Sequence, residues 1–109
     1  MSRPKRSRAK IERTNLSDTL GSGSELADVS FEDLGSTDAA VIDMGGGALG
    51  SSGGNCISGG PFAVNLMRYN ATAQHNWWGD PAGPAPTRVT AIGGTLDASA
   101  PLASAPAGC

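Results

Sequence analysis

The chain is short of most side chains that build an ordinary globular core. Its only aromatics are Phe31, Phe62, Tyr69, Trp77 and Trp78, and 17% of its residues are charged. His75 is the single histidine. A catalytic or metal-bound histidine needs partners placed around it, so a lone one beside Asn76 and Trp77 reads as structural. There is no HExxH, no CxxC and no Gly-x-Ser-x-Gly elbow, which argues against a zinc site and a nucleophilic triad. No run approaches the ~18 apolar residues of a membrane span. No apolar stretch follows the basic N-terminus, so no signal peptide is visible in this chain. No segment carries the apolar stripe of an amphipathic helix.

What the chain has instead is turn chemistry, with 16 Gly and 7 Pro in 109 residues. Glycine loses the most backbone freedom on ordering, so this composition suits short strands and many corners better than a helical bundle. Charge is uneven. Arg3, Lys5, Arg6, Arg8, Lys10 and Arg13 crowd the start, and later cations are only Arg68 and Arg88. The acidic body argues against a nucleic-acid surface on the folded part. The expected organisation is a disordered basic head over 1–14, a folded region over 15–99 and a flexible tail over 100–109. Cys56 and Cys109 permit one disulfide or none. Composition alone favours Cys56 as a small buried residue and Cys109 as a loose end.

Short alternating segments give the strands. Ala27, Val29 and Phe31 share one face of 27–33, with Asp28, Ser30 and Glu32 on the other. Ala39–Met44 is a second apolar run, carried by Val41 and Ile42. Phe62, Val64 and Leu66 alternate with Ala63 and Asn65 in a third. Residues 71–75 form a weaker fourth, and Arg88–Ile92 and Thr95–Asp97 close the series.

Gly45-Gly46-Gly47-Ala48-Leu49-Gly50 formally matches the GxGxxG fingerprint. The next five residues, Ser51-Ser52-Gly53-Gly54-Asn55, make a poor helix, and no acid stands about 20 residues on. Nucleotide binding is therefore not expected; several positions needing positive φ are the physical use of these glycines. The acids Asp28, Glu32, Asp33, Asp38, Asp43, Asp80 and Asp97 are scattered. Asp28 and Glu32 share a strand face and read as a solvated face rather than a paired-carboxylate site. Asn55, Asn70 and Asn76 fit sharp corners as well as they fit ordinary turns.

The densest signal is Asn76-Trp77-Trp78-Gly79-Asp80-Pro81-Ala82-Gly83-Pro84. Two large apolar rings stand where glycine and proline stop regular structure. The segment resembles the terminal coil of right-handed parallel β-helix proteins of the pectate-lyase-like superfamily. Residues 43–55 look like a loop that recurs in bacterial members before a final coil, and the likeness extends over about 40–102. The resemblance implies an all-β fold: a right-handed single-stranded parallel β-helix fragment of about three to four coils. It implies a structural cap at Asn76, Trp77, Trp78, Gly79, Pro81, Gly83 and Pro84, with sugar stacking on Trp77 and Trp78 as the other role. Family members are mostly secreted or surface proteins, many linked to carbohydrate. The implied function is a non-catalytic structural or carbohydrate-associated module, a C-terminal fragment stacked on missing N-terminal coils, with polysaccharide as its partner. The alternative is a piece of a polysaccharide lyase or glycoside hydrolase whose site lies in those coils. No catalytic residue, metal ligand or cofactor is assigned, and no nucleic acid or membrane span is expected.

Overall fold

Short strands account for nearly all regular structure in the computed structural model, which describes residues 7–17, 27–32, 40–58, 62–107 and 109. They are β1 (Arg8–Lys10), β2 (Ala27–Glu32), β3 (Val41–Asp43), β4 (Phe62–Met67), β5 (Ala71–Thr72), β6 (Val89–Ile92) and β7 (Leu96–Asp97). One 3-10 turn, Pro86–Arg88, precedes β6. No helix among the described residues is long and apolar enough to cross a membrane.

No strand pairs with its neighbour in sequence. β1, β3, β5 and β7 form one sheet in that order, β2, β4 and β6 form a second, and every pairing is parallel. A hairpin cannot join parallel strands, so the chain must cross over between sheets at each step. A third and thinner ladder lies on the crossovers. It holds the parallel bridges Asn15↔Cys56 and Cys56↔Trp77. The Leu102 N–H continues it by donating to the Asn76 carbonyl at 2.9 Å. The chain therefore visits first sheet, bridge ladder and second sheet in the same order on each winding.

Register stacks like on like. Val29, Val64 and Val89 form one column, Phe31, Leu66 and Ala91 another, and Ile42, Ala71 and Leu96 a third. The alternation read in β2 and β4 supplies Val29, Val64 and Leu66 to the core, and Ala63 and Asn65 on the other face of β4 are buried as well. Val29, Ile42, Met44, Ile57, Val64, Leu66 and Trp78 are buried in one cluster, with Ile11, Leu16, Phe31 and Tyr69 packed against it.

Phe62–Met67 is a strand over the range its pattern gives, and Ala27–Glu32 and Val41–Asp43 lie inside the expected segments. The weak fourth segment yields only Ala71–Thr72. The N-terminal stretch differs from expectation. β1 lies within the supposed disordered head, and Ala9 pairs with Ile42 there. Its own sequence has little β propensity; the edge of β3 supplies the template. Residues 1–6 of the head lie outside the described residues.

The cysteines also depart from the reading of two free thiols. Cys56 and Cys109 form a disulfide, with Cα atoms 5.6 Å apart. The pairing requires the tail to double back after Leu102 and reach the bridge ladder. Pro106, Ala107 and Cys109 share a crevice there with Arg13, Thr14, Asn15 and Gly54. Composition does not disclose such a return.

Candidate functional site

The glycine-rich loop after β3 is organised by one carboxylate. Asp43 is fully buried. Its Oδ1 accepts from the N–H groups of Gly45 at 3.0 Å and Gly47 at 2.9 Å, and from the Thr72 hydroxyl at 3.2 Å. Its Oδ2 accepts from the N–H groups of Leu49 at 2.9 Å and Ser51 at 3.0 Å. Burial is the largest single influence and raises the carboxyl pKa. The backbone bonds from Ser51, Gly45, Gly47 and Leu49 together outweigh it, so the pKa falls below its ordinary value. Gly45 takes φ 150°, and a Cβ there would collide with the Gln74 carbonyl oxygen. A cradle of N–H groups is what a glycine-rich loop offers a phosphate. Here the chain's own carboxylate fills it.

Two asparagines repeat one corner on successive windings. Asn55 accepts from the Thr14 N–H at 3.0 Å and donates to the Ile11 carbonyl at 3.1 Å. One winding on, Asn76 accepts from the Asn55 N–H at 3.0 Å and donates to the Met44 carbonyl at 2.9 Å. Asn55 also reaches that Met44 carbonyl at 3.1 Å. Both side chains are fully buried. Each satisfies backbone groups that a corner leaves without sheet partners. Asn70 stays exposed, and its Oδ1 accepts from the Thr95 N–H at 2.9 Å.

The tryptophan segment divides its two rings. Trp78 is 1% exposed and belongs to the core, while Trp77 is half-buried and bridges Cys56. Adjacent strand residues face opposite ways, which separates the two indoles. Beyond them Gly79 and Gly83 take φ 89° and 94°, and the Gly83 N–H donates to the Asp80 carbonyl at 3.1 Å. The Ala82 N–H donates to the Asp80 carboxylate at 2.8 Å. Pro81 extends this turn, and Pro84 follows it half-buried. A cleft of about 690 Å³ lies along the segment from Trp78 to Arg88. The pair is not at the last layer, because β6 and β7 follow it.

Of the two acids expected on one strand face, the side chain of Asp28 is described. Asp28 has no exposed side-chain surface and stands 3.7 Å from Arg88, whose guanidinium also donates to the Trp78 carbonyl at 3.1 Å. The expected solvated face is thus corrected at Asp28: a crossing cation from the third winding covers it. The side chain of Glu32, and Asp33 and Asp38, lie outside the described residues. Asp97 accepts from the Gln74 amide at 2.8 Å and the Ser99 hydroxyl at 2.6 Å. His75 is exposed at φ 61°, held by its own N–H to the Ala100 carbonyl at 3.0 Å. No group of three or more His, Cys, Asp or Glu among the described residues is placed to hold a metal ion.

The roles of Asp43 and Arg88 escape a sequence reading. Asp43 leaves a trace, an aspartate directly before a glycine run, which suits a carboxylate bonding to following N–H groups. Arg88 leaves none, since its partners are remote in sequence. No family model, curated protein or solved structure matches the chain.

Proposed function

We propose that this chain is a structural module, a short run of right-handed parallel β-helix coils, and that it carries no reaction of its own. The observation behind this reading is the use made of its buried polar groups. Asp43, Asn55, Asn76 and the Asp28–Arg88 pair are each engaged in holding backbone or joining windings. The parallel register and the fixed order of visits to three ladders support the β-helix. The strong bias of parallel crossovers toward the right hand supports that handedness. The disulfide supports export to an oxidising compartment, where such bonds persist.

Carbohydrate association is the second part of the proposal. Trp77 is the indole with ring surface left outside the core, and an aromatic face of that kind suits a sugar ring. The test is a titration of polygalacturonate and alginate followed by tryptophan fluorescence, with a parallel assay for unsaturated or reducing ends. The expected result is a saturable signal lost in Trp77→Ala, without turnover. Turnover by the purified chain would overturn the structural reading. Binding that survives Trp77→Ala would remove Trp77 from it.

A further inference from the structure

The first and last layers of the strand stack match each other. Alternate residues of a strand send their N–H and C=O groups to opposite edges. Ala71 and Ala73 donate to the carbonyls of Thr95 and Asp97, so Leu96 between them turns its own N–H and C=O outward. At the other end Val41 donates to the Ser7 carbonyl and Ile11 donates to the Asp43 carbonyl, so Arg8 and Lys10 turn theirs outward. Among the described residues neither outer edge has a strand partner. Unpaired edges of this kind are templates for another chain.

We propose that copies of this chain associate head to tail, with the β6–β7 edge of one copy receiving the β1–β2 edge of the next. Placing Ala9 of the second copy against Leu96 brings the outward groups of Leu96 between those of Arg8 and Lys10. It also continues the existing register. Lys10, Asp43, Thr72 and Asp97 already form one column, so Asp97 meets the next copy's Lys10. Lys10 and Asp97 are both exposed. Hydrogen bonds from Ser99 and Gln74 hold the Asp97 carboxyl below its ordinary pKa.

Bulk is complementary as well. The last layer offers Leu96 and the small Ala91, and the first layer answers with the small Ala9 and the large Phe31. Ile92, 57% exposed, lies on this terminal edge. Two last layers set edge to edge would lack both the Lys10–Asp97 pair and the match of small against large residues, which disfavours a closed two-fold dimer. A head-to-tail contact that continues the stacking of windings along one axis does not close into a ring, so the assembly is an open series. The register follows from the ladders alone and does not depend on the proposed function.

Sedimentation velocity over a wide concentration range, at low and high salt, tests this. The wild-type chain is expected to give a growing series of sizes that shrinks at high salt. Asp97→Lys and Lys10→Asp should each raise the concentration needed for association by more than about tenfold. The double variant Lys10→Asp/Asp97→Lys should recover it, which separates a lost contact from a lost fold. Circular dichroism of each variant checks the strand content. A monomer at all concentrations, a dimer of fixed size, or a double variant that fails to recover would each overturn the proposal.

Discussion

Asp43 holds in place a loop whose glycines have no side chains with which to hold themselves. Its two oxygens gather N–H groups from four residues of that loop, and a hydroxyl from the neighbouring strand. Asp43→Asn keeps the shape but presents an amide to N–H donors, leaving some without an acceptor. The expected cost is about 3 kcal/mol, read as a lower thermal midpoint. The pH dependence has a definite sign. The folded carboxyl pKa is lowered, so its contribution is complete above the unfolded value near 3.8 and is lost as pH falls through the folded value. The gap between wild type and Asp43→Asn should therefore be widest near neutral pH and narrow below about pH 4. At this scale the sequence is partly legible. Asn55 and Asn76 are found at corners, as turn chemistry allows, and the glycine run does adopt positive φ. The burial of Asp28 was hidden, because it depends on Arg88 arriving two windings later.

At the scale of elements, the strands that read clearly are those whose inward residues are large. Phe62–Met67 alternates in sequence and follows a Gly-Gly-Pro turn signal, so its range and the strand coincide. Arg8–Lys10 has no such pattern; pairing with β3 makes it a strand. Ala71–Thr72 is nearly as anonymous and is fixed from both sides, by β3 and by β7. The tail is held differently. The Cys56–Cys109 bond closes a segment 53 residues apart in sequence, which on chain entropy stabilises the fold by about 4 kcal/mol. Denaturant unfolding with and without reductant should show a loss of that order. In the Cys56→Ser/Cys109→Ser chain the reductant should change nothing further. Equal stability of oxidised and reduced wild type would mean that the tail packs without the bond.

For the whole molecule the architecture is a stack of unequal windings. Residues one winding apart lie 41 positions apart between Thr14 and Asn55, 29 between Asp43 and Thr72, 25 between Asn70 and Thr95, and 21 between Asn55 and Asn76. Crossovers of such different length erase any sequence period, which is why repeats are not visible although the ladders are regular. The tryptophan segment is not in the last layer of the stack: Trp78 anchors the core and another layer lies beyond it. That outermost layer is the surface on which head-to-tail association rests. The central claim beneath all of this is parallel stacking of strands two apart in sequence. Its most direct measurement is through-hydrogen-bond scalar coupling by NMR on the Asp97→Lys chain. The account predicts couplings from the Met44 N–H to the Thr72 carbonyl and from the Ala71 N–H to the Thr95 carbonyl. Couplings that instead join β4 to β5, or β6 to β7, as antiparallel hairpins would contradict it.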